Sequence, residues 1–330
     1  MGLVEYVVAA VVTIFAAVYG VILFFRHQPR LPVESELKYI TNDKTQKTYD
    51  LPERLSSRLK PCERTKELSV IIPCYNETKR LGKMMDECIE VLRKQYDQDD
   101  SKFEIIIVDD GSSDGTGAYA LLLADELGLK PHTMKVVTLA KNRGKGGGVT
   151  HGLLYSNGKL SLFADADGAT SFGDVSKLID TFKLSQDDDD TIDIVNPMIA
   201  IGSRSHMVNT DAVVKRSFIR NLLMYGLHTL VYIFGIRDVK DTQCGFKMFN
   251  VESVRRIFPH MHTERWIFDV EVLLLGELQG IPVKEIAVNW QEIDGSKVDL
   301  ARDSIEMAID LVVTRLAYLL GVYKLDECGR

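Results

Sequence analysis

Asp165 and Asp167 are the residues of this chain with the clearest capacity for chemistry, because they lie one residue apart directly after a short apolar run, 160–164. That run predicts a buried strand, so both carboxylates are expected at the strand's carboxyl end. Like charges this close raise each other's pKa and destabilise a site unless a cation lies between them. Because Mg²⁺ takes one or two carboxylates and completes its coordination with water and substrate phosphates, the pair indicates a metal that holds a diphosphate. A solvated acidic turn is the alternative, since Asp and Gly are common turn residues.

The segments around this pair alternate between apolar strands and amphipathic helices. Strands are predicted at 68–73, 103–108, 135–139, 160–164 and 197–201, and helices at 77–92, 115–127, 147–156 and 304–323. Strands that are apolar throughout and alternate with helices predict an α/β fold with a mostly parallel sheet. Ligands in such sheets bind beyond the carboxyl ends of the strands.

Polar motifs follow the predicted strands and should therefore meet at one edge of the sheet. They are Pro73-Cys-Tyr-Asn-Glu77, Asp109-Asp-Gly-Ser-Ser-Asp-Gly-Thr116, Lys141-Asn-Arg-Gly-Lys-Gly-Gly-Gly148 and Asp165-Ala-Asp167. Asp110 can accept hydrogen bonds from a base or a ribose hydroxyl, and Tyr75 can lie against a ring. Arg143 and Lys145 can meet phosphate charge, while the glycines let backbone N–H groups approach it. A dinucleotide fold is disfavoured because no Gly-x-Gly-x-x-Gly follows the first strand, and no Gly-Lys-Ser/Thr completes a Walker loop.

An uncharged apolar run covers residues 6–25. At about 1.5 Å per residue it would reach roughly 30 Å, the thickness of the hydrocarbon core of a bilayer. A cleaved signal peptide fits less well, because no Lys or Arg precedes the run. Arg26, His27 and Arg30 follow it directly, so the positive-inside rule predicts that the rest of the chain is cytosolic.

Composition supports a membrane-anchored cytosolic protein rather than a nucleic-acid binder. The chain has 330 residues, a net charge of −7 and 45% hydrophobic residues, enough for one large or two modest domains. The net negative charge and the lack of a long basic stripe argue against nucleic acid as a partner. The five cysteines form no Cys-x-x-Cys pair, which favours reduced thiols and excludes a zinc cluster of the usual spacing.

The predicted domain order follows from these features. A short segment 1–5 precedes the anchor 6–25, a charged and proline-containing linker covers 26–67, a folded domain covers 68–303, and an amphipathic tail covers 304–330. Segments 222–236 and 304–323 are amphipathic, and the sequence leaves open whether each lies in the membrane interface or inside the domain.

Taken together, the motifs resemble the family 2 glycosyltransferases, inverting enzymes of the GT-A fold. The resemblance is carried in the first half by Val70-Ile-Ile-Pro-Cys-Tyr-Asn-Glu77, Val108-Asp-Asp-Gly-Ser-Ser-Asp-Gly-Thr116, Asn142-Arg-Gly-Lys-Gly146, Ala164-Asp-Ala-Asp-Gly168 and Gly202-Ser-Arg204. The second half narrows it to the dolichyl-phosphate β-glucosyltransferases of that family, through Lys215-Arg-Ser-Phe-Ile-Arg-Asn221, Asp241-Thr-Gln-Cys-Gly-Phe-Lys247, Glu264-Arg-Trp-Ile-Phe-Asp-Val-Glu271 and Ala287-Val-Asn-Trp-Gln-Glu-Ile-Asp-Gly-Ser-Lys297. The likeness covers nearly the whole chain, and it is specific as a combination.

The resemblance implies a GT-A, Rossmann-like sheet flanked by helices and an endoplasmic-reticulum enzyme that moves glucose from UDP-glucose to dolichyl phosphate for N-glycan assembly. It implies a uridine site formed by Pro73, Tyr75, Glu77, Val108 and Asp110. It also implies Mg²⁺ or Mn²⁺ on Asp165 and Asp167, with Ala166 beside the diphosphate and Lys297 closing over it. The acceptor phosphate would bind Arg204, Arg216 and Arg220, and the sugar would contact Asp241, Gln243 and Trp266. Asp269 and Glu271 occupy the place where relatives with hydroxyl acceptors carry a base, and a positioning role is favoured here.

The chemistry of the acceptor explains why a base is dispensable. A phosphate monoester has a second pKa of about 6, so it is mostly a dianion at neutral pH and already a nucleophile. The protein must instead offset the repulsion between an anionic acceptor and an anionic donor, which a metal and arginines can do.

Other functions remain open from the sequence alone. A dolichyl-phosphate mannose synthase using GDP-mannose is the nearest alternative, because spacing does not distinguish uracil from guanine. A membrane-tethered nucleotide-binding scaffold without catalysis is the alternative of another class, and it would be indicated by damage to the Asp-x-Asp or basic motifs, which are intact in the sequence.

Overall fold

The computed structural model describes residues 2–45, 47–56, 64–184, 191–207, 226, 229–230, 236, 239–293 and 300–325. The helices in this part of the chain are α1 Leu3–Phe25, α2 Leu81–Gln95, α3 Thr116–Glu126, α4 Lys145–Leu154, α5 Val175–Asp180, α6 Val251–Ile257, α7 Phe268–Leu278 and α8 Leu300–Leu319. The strands are β1 Lys38–Tyr39, β2 Tyr49–Asp50, β3 Lys66–Cys74, β4 Phe103–Asp109, β5 Met134–Thr138, β6 Gly158–Ala164, β7 Ile199–Ser203, β8 Phe246–Asn250 and β9 Val283–Ala287.

The described residues form a seven-stranded sheet with the order β5-β4-β3-β6-β8-β7-β9. Strand β3 pairs in parallel with β4 and β6, β4 with β5, and β7 with β9. Strand β8 is antiparallel to both of its neighbours, β6 and β7. The predicted α/β fold with a mostly parallel sheet is therefore confirmed, and the sheet is of the GT-A type.

Alternate residues of the central strands enter two hydrophobic layers, one on each face of the sheet. Val70 and Ile72 of β3 pack in the layer that contains α2 and α3, whereas Ile71 packs with α4, α6 and α7. A strand covered on both faces has to be apolar throughout, which is the pattern that predicted these strands.

The predicted helix 77–92 begins four residues later than expected, at Leu81. Asn76 has a φ of 54°, and the backbone N–H of Arg80 donates to the carbonyl of Glu77 at 3.0 Å. The N–H of Glu77 donates to Thr116 Oγ1 at 2.8 Å. Residues 76–80 thus form a turn that directs polar side chains toward the sheet edge, and helical periodicity alone does not detect such a turn.

The linker predicted at 26–67 differs from expectation, because its described residues pack against the domain. Glu36 has 0% of its surface exposed; one of its oxygens accepts a hydrogen bond from the N–H of Ala140 at 2.7 Å, and the Arg30 guanidinium binds both oxygens. The carbonyl of Glu36 contacts His151 Nε2 at 2.9 Å. Proline and charge indicated a linker, but Arg30 and Glu36 of this segment bind each other, and Glu36 also binds the domain.

The same segment covers an edge of the sheet. Ile40 exchanges backbone hydrogen bonds with Val136 of the edge strand β5, at 2.9 and 2.8 Å. Tyr39 and Leu55 are buried in the layer beneath. Covering an edge strand removes a template for pairing with other chains.

Among the described residues, α1 is the helix long and apolar enough to cross a membrane. Its carboxyl end contacts α8, where Ile22 is buried against Val313 and Ala317. Helix α8 buries one face and exposes Ile305 and Ile309 on another. The predicted helix at 222–236 falls mostly outside the described residues.

We expect Glu36→Ala to lower the free energy of unfolding by about 2–3 kcal/mol, because it removes charge-assisted hydrogen bonds at a buried carboxylate. Urea denaturation of the detergent-solubilised chain measures this. Burial alone would raise the pKa of Glu36, but the hydrogen bonds from Arg30, Ala140 and Val33 lower this pKa from 4.5 to about 2. The stabilisation should therefore be complete above pH 4.5 and disappear as the pH falls toward 2.

Glu34→Ala is the matched control. Glu34 and Glu36 lie in the same short 3₁₀-helix, Glu34–Leu37, but Glu34 forms an exposed ion pair with Lys38. Its cost should stay below about 1 kcal/mol. Equal losses for the two variants would contradict a structural role for Glu36.

Candidate active site

The carboxyl ends of β3, β4 and β6 bring the predicted polar motifs to one edge of the sheet. The N–H of Asp110, directly after β4, donates to the carbonyl of Cys74 at the end of β3, at 2.8 Å. The N–H of Asp165, directly after β6, donates to the carbonyl of Gly245 at 3.1 Å. Ligands of open α/β sheets bind in this position.

Asp110 holds the loop that follows β5. Its carboxylate accepts hydrogen bonds from the N–H groups of Arg143 at 2.6 Å and Gly144 at 2.8 Å. Burial raises the pKa of Asp110 to about 7, although these two donors act in the opposite direction. Pro73 and Val108 lie in the neighbouring strands, and Tyr75 is 43% exposed beside them. The residues that follow β3 and β4 therefore include an exposed ring, Tyr75, and a buried carboxylate, Asp110.

Arg80 joins the turn after β3 to the aspartate pair. Its Nε and Nη2 donate to the two oxygens of Glu77 at 2.7 and 2.5 Å, and its Nη1 lies 3.7 Å from Asp167 Oδ2. The sequence had singled out Glu77 and Asp167 but missed Arg80. The sequence feature that could have identified Arg80 is its position three residues after Glu77, an acidic residue that follows the end of β3.

Asp165 and Asp167 carry closely spaced negative charge. Burial, followed by the charge of Asp165, raises the pKa of Asp167. Lys145 Nζ lies 2.6 Å from Asp165 Oδ1. Burial alone would lower the pKa of Lys145, but the charges of Asp165 and Asp269 raise it overall.

Gly245 fixes the position of the Asp165 carboxylate. A Cβ on Gly245 would lie 1.9 Å from Asp165 Oδ2, closer than any real contact, so the aspartate side chain occupies the space that other residues fill with a side chain. This glycine belongs to the motif 241–247, and its role becomes visible only when β8 is placed beside β6.

The donor set at this edge fits a hard divalent cation. The charge of Asp165 acts on the Asp167 carboxyl and raises its pKa, and this mutual repulsion is what a cation would relieve. The described residues contain no group of three or more His, Cys, Asp or Glu side chains suited to a metal. A cation held here would therefore complete its coordination with water and phosphate oxygens, as Mg²⁺ usually does.

The glycines after Arg143 serve close packing. A Cβ on Gly144 would lie 2.6 Å from the carbonyl oxygen of Glu264, and a Cβ on Gly146 would lie 2.5 Å from Phe268 Cβ. The side chain of Arg143 points to the same segment, where its Nε donates to Glu264 Oε1 at 2.7 Å. Within the described residues, the Arg143 guanidinium is thus paired to Glu264 rather than directed to the aspartates.

Asp269 and Glu271 are both buried and both paired. Lys247 Nζ donates to Asp269 Oδ1 at 2.5 Å and to the carbonyl of Cys244 at 2.6 Å. Glu271 accepts hydrogen bonds from Thr263 and Tyr318. Lys247 was missed from the sequence, although a lysine inside the apolar strand β8 signals a buried anionic partner.

A second basic group lies at the end of β7. Arg204 binds Asp241 through Nε at 2.7 Å and Nη2 at 2.8 Å, and its guanidinium lies 5.4 Å from the ring centre of Trp290. Burial would lower the pKa of Arg204, but the pairing with Asp241 raises it. Asp241 Oδ2 also accepts a hydrogen bond from the backbone N–H of Arg204 at 2.9 Å, and the N–H of Asp241 donates to Glu285 Oε1 at 3.0 Å.

The remaining predicted residues are less directly placed. Gln243 Nε2 lies 3.6 Å from the sulfur of Met307 in α8, Trp266 is half-buried against the core, and Ala166 is buried. Arg216, Arg220 and Lys297 lie outside the described residues.

We expect Gly245→Ala to displace the Asp165 carboxylate and weaken Mn²⁺ binding by at least about tenfold, since each 1.4 kcal/mol of lost interaction is a factor of ten. Mn²⁺ titration followed by electron paramagnetic resonance measures this, with circular dichroism to verify the fold. Gly173→Ala is the control, because the nearest atom to its Cβ would be Ser171 Oγ at 3.6 Å. Equal Mn²⁺ affinities for the two variants would refute the packing argument.

Comparison with known proteins identifies the family. The family model described as Glycosyl transferase family 2 matches residues 69–258. The dolichyl-phosphate beta-glucosyltransferase of Saccharomyces cerevisiae is 49% identical over 316 residues, which cover 95% of this chain and 93% of the relative. The protein of the same name from Homo sapiens is 43% identical over 301 residues, covering 91% and 88%. Glucosyl-3-phosphoglycerate synthase of Mycobacterium tuberculosis, a solved structure, has a TM-score of 0.48 at 17% identity, covering 76% of this chain and 80% of that one. The chain belongs to glycosyl transferase family 2 and, within it, to the dolichyl-phosphate beta-glucosyltransferases.

Proposed function

We propose that the chain transfers glucose from UDP-glucose to dolichyl phosphate with inversion, giving dolichyl β-glucosyl phosphate and UDP. The observation that carries the proposal is the meeting of the Asp110 loop and the Asp165/Asp167 pair at one sheet edge, with Arg204 within electrostatic range of Asp165. The names of the relatives supply the acceptor, dolichyl phosphate, and the transferred glucosyl group.

The donor nucleotide is proposed to bind between the ends of β3 and β4. Tyr75 offers an exposed ring for stacking on uracil, and Asp110 offers carboxylate oxygens to the base or ribose. Glu77 is oriented by Arg80, which brings this side of the site to the aspartate pair. A divalent ion on Asp165 and Asp167, Mg²⁺ or Mn²⁺, would offset the charge of the diphosphate and stabilise the leaving UDP.

The acceptor phosphate is proposed to bind Arg204 together with Arg216 and Arg220. Asp241 binds Nε and Nη2 of Arg204, so among the described residues the Nη1 edge is left for another anion. A phosphate oxygen would attack C1 of glucose as the bond from C1 to the UDP oxygen breaks, and attack on an α-linked donor gives a β product. The acceptor is a dianion, so no proton has to be removed.

Asp269 is better suited to positioning than to proton transfer. It is buried and bound to Lys247, and breaking that pair would leave a charge unpaired in the interior. Through Lys247 it supports the carbonyl of Cys244, next to Gly245 and the Asp165 backbone. We propose that Asp269 and Lys247 hold the metal-binding edge in place.

The proposed location is the cytosolic face of the endoplasmic-reticulum membrane. Helix α1 would cross the bilayer, and the basic residues after it would stay on the cytosolic side. Ile305 and Ile309 of α8 are exposed, and because α8 contacts the end of α1 through Val313 and Ala317, we propose that these two side chains lie in the membrane interface.

Transfer of labelled glucose by the purified full-length chain tests the proposal. With dolichyl phosphate in detergent, UDP-glucose should give product and GDP-mannose should not, and a chelator should stop the reaction. Asp167→Asn should lower kcat/KM at least about a hundredfold through loss of a charge that works only with the metal, while Asp180→Asn, an exposed control, should not. Product from GDP-mannose alone would favour a mannose synthase, and absence of any transfer would favour a scaffold.

The acceptor assignment has its own test. Arg204→Lys keeps the charge but loses the planar fork that Asp241 and a phosphate can share. We expect the KM for dolichyl phosphate to rise about tenfold while the KM for UDP-glucose stays within about twofold, because a lost bidentate contact is worth roughly 1.4 kcal/mol. Steady-state kinetics with each substrate varied measures this. A rise confined to the KM for UDP-glucose would move Arg204 to the donor site.

A further inference from the structure

We propose that Lys145 and the divalent cation compete for Asp165, and that the lysine transfers to the diphosphate when the cation binds. The inference rests on the proposed donor site. Lys145 Nζ lies 2.6 Å from Asp165 Oδ1, and the lysine side chain is only 18% exposed. The Lys145 ammonium uses the lone pairs of Asp165 Oδ1 that a hard cation would need. The ammonium and the metal therefore cannot both bind this oxygen at full strength.

The carboxylate is fixed, so the lysine is the partner that moves. Gly245 leaves no room on one side of Asp165, where a Cβ would lie 1.9 Å from Oδ2, and the Asp165 N–H is bound to the Gly245 carbonyl. Lys145, by contrast, ends in a point charge on a flexible four-carbon stem. It lies at the first position of α4, so small changes in its side-chain torsions can redirect the ammonium without moving a strand.

The displaced ammonium requires a new anion. A half-buried cation without a partner is costly. Asp269 is a buried carboxylate whose charge also acts on Lys145, but it is already bound to Lys247. Lys145 and Lys247 lie at 5.5 and 5.4 Å from the same Phe163 ring centre. A diphosphate beside Asp165 would supply oxygens for the ammonium. The metal and the nucleotide should therefore bind cooperatively. The metal displaces Lys145 from Asp165, and only a bound diphosphate gives the ammonium a new anionic partner.

Arg80 provides the internal contrast. Its Nη1 is 3.7 Å from Asp167, beyond hydrogen-bond distance, while Glu77 holds Nε and Nη2 at 2.7 and 2.5 Å. This cation is held in place by another carboxylate and does not block the Asp167 oxygens. Exchange is thus assigned to Lys145 alone.

The test compares Mn²⁺ affinity with and without UDP for the full-length chain and Lys145→Gln. Free Mn²⁺ is measured by electron paramagnetic resonance, and Mn²⁺–UDP association in solution is measured separately. For the wild type we expect UDP to tighten Mn²⁺ binding by a factor within the usual range for coupled sites, about 5–150. Lys145→Gln should bind Mn²⁺ several-fold more tightly without UDP and several-fold less tightly with it, so that the factor falls toward one.

Controls separate this role from a general effect of charge or folding. Lys141→Gln removes the same charge from an exposed position four residues earlier, and it should change neither affinity by more than about twofold. Lys145→Arg keeps the charge and should retain most of the coupling even if the glutamine variant is unstable. An unchanged coupling factor in Lys145→Gln, or weaker Mn²⁺ binding by this variant without UDP, would overturn the inference. Neither result would contradict the proposal that the chain transfers glucose. A wild type that binds no UDP in Mn²⁺ would overturn the donor assignment as well.

Discussion

The repulsion between two carboxylates at the end of β6 is the constraint on which the rest of this site depends. Asp165 and Asp167 are one residue apart, and the burial of Asp167 makes their repulsion more expensive. Two cations offset this repulsion: Lys145 binds Asp165, and Arg80 lies near Asp167. Each of these cations comes from a different strand end, so the acidic pair draws the loops after β3 and β5 to the same edge as β6.

The same principle operates further from the chemistry. Glu36, from the segment after the anchor, is completely buried and satisfied by Arg30 and by the backbone just before the Arg143 loop. Arg143 in turn is bound to Glu264 and to the carbonyl of Arg30. The loop that contains Arg143 is therefore held from two sides by charge pairs, and the contacts of Glu36 and Arg30 show that the segment after α1 packs as part of the folded domain.

The sequence predicted the sheet well because its strands are covered on both faces and so are apolar throughout. It also placed Asp110, Asp165 and Asp167 at one edge, since strand ends in a parallel sheet meet there. It could not predict the packing of residues 30–56, because charge and proline are equally typical of solvated linkers. Nor could it predict the contact of Gly245 with Asp165 or of Lys247 with Asp269, which join antiparallel β8 to β6 and α7 over long sequence separations. The glycines at 144 and 146 are predicted to let backbone N–H groups approach phosphate, and the structure adds that they allow close packing against Glu264 and Phe268, which the sequence does not indicate.

The joint between α1 and α8 has a mechanical consequence. The N–H of His27 donates to the Tyr323 hydroxyl at 2.6 Å, its ring is 3.1 Å from Asp310, and Tyr323 stacks on His262 at 3.6 Å. His262 contacts Glu271 in α7, two residues from Asp269. Because these contacts join α1 to the domain, a change in the tilt of α1 in the proposed membrane-anchored state would rotate the domain with it, so a thicker or thinner bilayer would alter how the proposed acceptor site faces the membrane.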